Sequence, residues 1–549
     1  RCSPPPSSTG DSATVASGVA GSEAEYIVPG VCTWDRVGSG RGYTLPSPRH
    51  DPGPYADCIP RTDTLGWPTG TATAVLESFR VHTLRRESAN QGSYNGWSGD
   101  FGRPKGSQQD GEYRYSCKGS SEEHCDLCER LHAGRWNARV RYSSRNRVRY
   151  AAPSLDVYGP SFDRALRSLN YQGATGLGRF ARYATIGAAL GWDGVTFDAA
   201  RVEELRAVVA ERIACLCKEE EAGEDAAPTA GAAAAVDIKL IIKDELHKRR
   251  KIEEGRERII FVLALEDQMV DRMLFQTWLD ESPDDVTSKV GWSPLPGGYR
   301  QFEATFPEGC LATDCSAFDW TLPEWAILEV IALKIEQTRG VTEDWRRAVW
   351  RRVSEVVGPT CVVRLPTGER LRQKTWGLMK SGWLLTIAVN GAVQSLLVSY
   401  GETALDLPGR KVWAMGDDLA FDDPPDASLF VGVMEHMGVE IKQYSHCSEF
   451  AGYDFATRGS PTPMYAVKHL ERLRWVPEDM LETYAMAYGL LYALADETSS
   501  PAVGLVNQFV RRHSPWPEWM YRHWALGLDT GARCGPALPQ SLFAAVRWV

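Results

Sequence analysis

The sequence predicts an α+β chain built around an antiparallel sheet, and three observations carry that prediction. Short apolar runs at 412–415 and 419–421 flank Gly416-Asp417-Asp418 and read as two strands joined by a tight hairpin. A weakly apolar run at 310–313 ends in Asp314 and reads as another strand, whose terminal carboxylate meets that turn. Apolar residues recur at helical spacing in 198–218, 322–337 and 478–495, away from the strand candidates.

The totals set bounds. A chain of 549 residues, 43% hydrophobic, is long enough for several packed subdomains. A net charge of -10 argues against a protein that coats a polynucleotide with its whole surface, so any such contact must be local. Thirteen irregularly spaced cysteines do not read as a disulfide framework and point to a reducing, cytosolic setting. No stretch reaches the roughly 20 apolar residues of a bilayer span; the longest, 486–495, is about half that. Membrane association would then come through partners. The first residue is Arg1 rather than Met and lacks a signal peptide's layout, so it reads as an end trimmed or released by a protease.

In chain order, residues 1–22 are Pro, Ser, Gly and Ala with few bulky apolar side chains, and read as a disordered tail. From there to about 115, turn-forming residues recur every few positions, which predicts short strands and loops at most. Cys117, His124, Cys125, Cys128 and His132 crowd together, and Cys117, Cys125, Cys128 and His132 would make a tetrahedral zinc set. In 135–150 the alternation of Arg139, Arg141, Arg145, Arg147 and Arg149 predicts a strand with cations on common faces. Two readings fit it: a path for single-stranded RNA, or an edge strand protected by charge.

The helix at 198–218 carries Val202, Leu205, Val208, Val209 and Ile213 on one face, and the acidic, alanine-rich 219–237 after it reads as a flexible surface loop. Residues 239–258 mix basic and acidic side chains and run into an apolar stretch; a solvated charged helix and a basic lining both fit. For the helix at 322–337, Thr321 and Glu324 have capping-box spacing and Pro323 falls in the first turn. The helix at 478–495 shows a stripe of Leu481, Tyr484, Tyr488 and Leu491. Around it Trp475, Tyr492, Trp516, Trp519 and Trp524 read as core rather than as base-stacking platforms.

Asp314, Asp417 and Asp418 would together form an oxygen-rich site for hard divalent cations. Nucleotidyl transfer needs two such cations about 4 Å apart. Taken alone, an Asp-Asp turn is ordinary solvated loop chemistry. Ser381-Gly382 opens a segment in which Thr386 and Asn390 are four apart, hence on one face of a helix. Such residues are often back-bonded or solvated. Asn390 with Asp319, however, offers the donor and acceptor that engage a ribose 2'-hydroxyl.

DCSAFDW at 314–320, SGWLLTIAVN at 381–390 and AMGDDLAF at 414–421 resemble motifs A, B and C of viral RNA-dependent RNA polymerases. The first, followed by Trp325, is most similar to the sobemovirus, polerovirus and barnavirus branch, and the resemblance covers roughly residues 150 to 500. It implies a right-hand polymerase: an N-terminal extension at 23–150, fingers at 151–310, palm at 311–350, a fingers insertion at 351–375, palm again at 376–455 and thumb at 456–549. It implies that Asp314, Asp417 and Asp418 bind Mg2+, with Mn2+ as substitute, that Asp319, Thr386 and Asn390 select the ribonucleotide, and that Ser381 and Gly382 form a loop tracking the template.

By the same resemblance Lys243, Lys251, Arg256 and Arg258 clamp the triphosphate, and Lys442 protonates the leaving pyrophosphate. Cys447-Ser448 would grip the primer and 173–178 would guide the template. The implied partners are an RNA template, the nascent RNA, nucleoside triphosphates, and a genome-linked protein or other viral replication proteins in a replication complex of the host cytoplasm. Trp34-Asp35 resembles part of such a genome-linked segment. A reverse transcriptase shares the palm, but the Asp319 and Asn390 pair makes room for a 2'-hydroxyl. A non-catalytic RNA-binding protein with a degenerate palm is disfavoured because all three acids are present.

Overall fold

The computed structural model describes residues 33–46, 51–59, 61–90, 126–218, 235–280, 286–527, 538–539 and 541–542. The tail expected at 1–22, Cys117 and Cys125 of the zinc set, and most of the loop at 219–237 lie outside the described residues.

The middle of the chain forms a four-stranded antiparallel sheet in the order Val412–Met415, Asp418–Phe421, Cys310–Cys315, Ile441–Cys447. Both faces are covered. Leu311, Val412, Ala414, Leu419 and Phe421 pack in one apolar cluster with the helices Glu324–Glu336 and Thr386–Ala404, while Cys310, Trp413 and Ala420 face a second cluster that includes Phe302, Phe450 and Phe455. Burial on both faces explains why these strands read as continuous apolar runs rather than alternating ones. The tail of the chain adds helices Ala466–Leu473, Leu481–Leu491, Pro501–His513 and Glu518–Ala525, in which Tyr484, Tyr488, Tyr492 and Trp524 are core. Trp519 is the exception, exposed at the surface.

A second sheet has five strands in the order Trp34–Ser39, Glu369–Gln373, Val362–Arg364, Ile238–Ile242, Ile259–Val262. Its first strand comes from a region expected to hold only short strands and loops. A short strand fits that expectation, but a 19-residue helix at Ala72–Asn90 corrects it. The helix escaped notice because part of its inward face is polar: Ser78, His82, Thr83 and Arg86 are buried beside Val75 and Phe79. Ser78 donates to Glu257, and Arg86 donates to the carbonyls of Trp320 and Trp376 at 2.8 and 3.0 Å. The His82 ring stacks on Trp320 at 4.8 Å.

Residues Arg135–Arg145 are a helix, not the expected strand. Ala138 and Tyr142, four apart, are its buried face, and the arginines reach past them to acids. Arg139 bridges Glu329 and Glu336, while Arg141 and Arg145 pair with Glu402. Arg147 and Arg149 lie beyond the helix end, so the expected row of cations does not form. The helix Ala199–Cys217 matches its expectation, with the Asp198 side chain accepting from the Ala200 and Arg201 amides. The capping box expected at 321–324 is absent: Pro323 takes the N-cap position, and the Thr321 hydroxyl donates instead to Ser316 O at 3.0 Å. Asp237, placed in a surface loop by sequence, is buried and accepts from both Arg364 and Arg370.

Helices Ala199–Cys217, Leu265–Leu279 and Glu343–Val357 enclose a buried ionic cluster. Arg352 donates to Asp271 at 2.7 and 3.2 Å and to Glu355 at 3.1 Å, and Arg212 donates to Asp267 at 3.0 Å and Glu355 at 2.6 Å.

His82 makes the support under Trp320 sensitive to acid. Its Nε2 bonds the Glu257 carbonyl at 3.0 Å, while its buried Nδ1 has no partner among the described residues. Burial pushes its pKa down to about 4, helped by nearby Arg85, Arg256 and Lys251 and opposed by the Glu257 carbonyl. The unfolded chain takes up this proton near pH 6.5 and the folded one only near 4, so stability is lost as pH falls through that window. Against His82→Phe, which keeps the stack and cannot titrate, the wild type should lose about 2 kcal/mol between pH 7 and 5. Thermal unfolding of both proteins across that range reads it; parallel curves would refute it.

Candidate active site

Sheet register brings the expected acids together. Thr313 pairs with Leu419 in antiparallel register, so the next residues, Asp314 and Asp418, stand at the same end of adjacent strands, about 5 Å apart along the backbone. Met415 pairs with Asp418, leaving Gly416-Asp417 as a two-residue turn. Gly416 has φ 65, the left-handed value that such a hairpin demands. Burial in the cleft and the charges of Asp417 and Asp314 push the Asp418 pKa up to about 6. Asp314 is held by Lys442, whose Nζ is 2.5 Å from its Oδ2. Among the described residues no group of three or more His, Cys, Asp or Glu is closed tightly enough to hold a metal ion. The donor set of three carboxylates at one sheet end nonetheless suits a hard divalent cation.

Beside the acids lies the polar pair read from the sequence. Asp319 sits in the short helix Phe318–Thr321 after the central strand, and Asn390 lies in the first turns of Thr386–Ala404. Asn390 Nδ2 donates to Asp319 Oδ1 at 2.7 Å. Its own Oδ1 is buried, with no partner among the described residues. Burial pushes the Asp319 pKa up to about 6; the Asn390 bond opposes this, Asp417 adds to it, and Arg258 counters. Thr386 is back-bonded, donating to Lys380 O at 2.7 Å.

Ser381-Gly382 rests directly on the strand Ile259–Val262. The Phe261 amide donates to Ser381 O at 2.8 Å, and a Cβ on Gly382 would lie 2.6 Å from the Phe261 carbonyl oxygen. With φ 114 as well, this position admits only glycine without rearrangement.

The basic segment 239–258 is mostly not a helix. It is a strand, a short helix Arg249–Glu253 and a return into Ile259–Val262, with Lys243 N bonded to Arg258 O at 2.8 Å. Lys251 has its pKa lowered by burial and then by Arg258, Lys248, Arg256 and Lys442. Cations crowded so closely create a positive field suited to a polyanion. Arg258 lies within electrostatic reach of Asp417 and Asp319, which with Glu245 hold it charged against burial. Arg256 is paired with Glu254. The glycine-rich 173–178 packs at the start of Leu265–Leu279, where a Cβ on Gly176 would meet Leu263 O at 2.5 Å.

Of the zinc set, Cys128 and His132 lie four apart on Asp126–Ala133. Cys128 Sγ is 3.0 Å from Nε2 of His436, a residue the sequence reading did not include.

Two site residues escaped the sequence reading. Gln394 donates to Asp417 O at 3.1 Å and ties the acid turn to the helix beneath it. The signal was present, since Thr386, Asn390 and Gln394 fall at i, i+4 and i+8 on an otherwise apolar helix. Tyr465 is exposed at the surface, and partial burial of its hydroxyl end together with the charges of Asp418 and Asp417 raises its pKa. No local pattern marks it.

Residues 207–446 match the family model described as viral RNA-dependent RNA polymerase. In sequence the chain is similar to Protein P1-P2 of Pea enation mosaic virus-1, 27% identical over 292 residues that are 48% of this chain and 21% of that protein. It is also similar to Replicase polyprotein P2AB of Cocksfoot mottle virus, 30% identical over 229 residues, 38% of this chain and 22% of that polyprotein. The matched stretches thus span about a fifth of these curated relatives. In structure it resembles a Sicinivirus 3Dpol RNA-dependent RNA polymerase with a TM-score of 0.60 at 14% identity, over 90% of this chain and 98% of that one, a likeness of fold. Match and fold alike make the chain similar to one class, the viral RNA-dependent RNA polymerases. Within it, the similarity runs to the replicases of poleroviruses, sobemoviruses and enamoviruses.

Proposed function

We propose that this chain copies an RNA template into RNA by nucleotidyl transfer, with nucleoside triphosphates as substrates and release of pyrophosphate. The observation that carries the reading is the Asn390–Asp319 hydrogen bond standing within electrostatic reach of Asp417. A paired carboxylate and amide at that point suit a ribose 2'-hydroxyl, which is both donor and acceptor.

Asp314, Asp417 and Asp418 would hold a pair of divalent cations, magnesium by preference with manganese as substitute. Bound there, the cations supply a lowered pKa for the attacking 3'-hydroxyl and charge neutralisation for the leaving group. Arg258, Lys251, Lys243 and Arg256 receive the triphosphate, the arginines by their two-pronged guanidinium groups. Lys442 releases Asp314 when the acids converge, which frees its ammonium to give a proton to the departing pyrophosphate. Ser381 and Gly382 track the template. We assign the work to a replication complex in the host cytoplasm, with a genome-linked protein or other viral replication proteins as further partners.

Primed extension on a defined RNA template, run with ribo- and deoxyribonucleotides in parallel, tests the reading. The expected outcome is ribonucleotide incorporation dependent on a divalent cation; preferential use of deoxyribonucleotides would defeat it. Asn390→Ala should lower the preference for ribonucleotides about 2- to 10-fold, the worth of one hydrogen bond between neutral groups. An unchanged ratio of kcat/KM values would count against the assigned role.

A further inference from the structure

One acid stands among the cations assigned to the triphosphate, and it reaches the thumb. The Glu245 side chain is mostly buried, with Oε1 2.9 Å from Arg258 Nη1 and Oε2 3.1 Å from Lys243 Nζ. The same Oε2 is 3.4 Å from Nζ of Lys468, in the thumb helix Ala466–Leu473. One carboxylate therefore joins both ends of the basic hairpin to a helix more than two hundred residues away. We propose that Glu245 is a positioning residue that aims Arg258 and Lys243 at the incoming triphosphate, and that its bridge to Lys468 makes this aim depend on the thumb being seated.

The inference rests on the polymerase reading and deepens it. Without a carboxylate between them, Lys243, Arg258 and Lys468 would repel one another and splay. The bond from Arg258 uses Nη1, so the rest of the guanidinium edge lies outside it. Burial alone would raise the Glu245 pKa, but Lys468, Lys243 and Arg258 outweigh it and bring it down to about 2, so the bridge persists throughout the neutral range. Glu245 could equally have been a mere placeholder that competes with phosphate. The two roles differ in sign: an organiser helps the triphosphate bind, and a placeholder hinders it.

The test measures GTP affinity at equilibrium on the full chain with template RNA and Ca2+, alongside KM and kcat in extension. Glu245→Gln should weaken GTP binding about tenfold and raise KM for all four nucleotides alike, with kcat little changed. Glu245→Asp, which keeps the charge, should recover most of the loss. Lys468→Met should weaken binding in the same direction by about threefold, and adding it to Glu245→Gln should cost nothing more, because Lys468 acts only through Glu245. Tighter binding by Glu245→Gln, or additive losses in the double variant, would overturn the proposal. Wild-type protein that binds GTP with this variant pattern yet incorporates nothing would sink the polymerase reading and leave the bridge standing.

Discussion

Replacing Asp417 with Asn should stop the proposed nucleotide incorporation, a fall of about 1000-fold or more, while the thermal unfolding midpoint should hold or rise slightly. The loss follows from the several kcal/mol that a bound cation contributes to a phosphoryl-transfer transition state, since a carboxamide holds such a cation poorly. The intact fold follows from geometry. The Asp417 side chain is exposed in a two-residue turn, and the bond that fixes the turn runs from Gln394 to the Asp417 backbone oxygen, which the substitution leaves in place. Removing one charge also relieves the repulsion that raises the Asp418 pKa. Primer extension and calorimetry on the same preparation check both halves; near wild-type incorporation would contradict the site.

Arg352→Met has the opposite profile, damaging the fold rather than the acids. Arg352 and Asp271 are both almost fully buried and joined by two hydrogen bonds, and Arg352 also reaches Glu355. Removing the arginine strands Asp271 without its cation, a change that costs about 3–5 kcal/mol in buried pairs. The midpoint should drop by several degrees. Arg352→Met combined with Asp271→Leu should recover much of the loss, because a well-packed apolar pair avoids the desolvation that the ions suffer. A double variant no better than the single one would mean that the cluster does something beyond neutralising its own charges.

The acids were legible because hairpin chemistry is local: Gly416 between two apolar runs specifies a turn, and strand periodicity then fixes which side chains share its end. The Asp319 and Asn390 pair was legible for the same reason, each lying at a fixed offset from a recognisable segment. Longer-range features were not. In Arg135–Arg145 the arginine alternation suggested a strand, but Ala138 and Tyr142 set the buried face, and the arginines serve acids at Glu329 and Glu402 that no local window contains. In Ala72–Asn90 the inward residues include His82 and Arg86, which a search for apolar stripes discards. Their partners, Glu257, Trp320 and Trp376, become visible only once the chain is folded. Gln394 reaches the Asp417 backbone through tertiary packing as well, although it left a faint periodic trace.

The pairing of Trp34 with Gln373 has a consequence for how the protein is made. The strand that holds Trp34 leaves the ribosome about 20 to 70 seconds before its mate is translated, at ordinary elongation rates. Throughout that interval its indole, destined for full burial, and an unfilled β-edge face solvent. Ribosome-associated chaperones, or slow assembly after release, would have to cover the delay. Yield from a cell-free translation system should therefore respond to added chaperone more strongly than a chain of this size with local topology would.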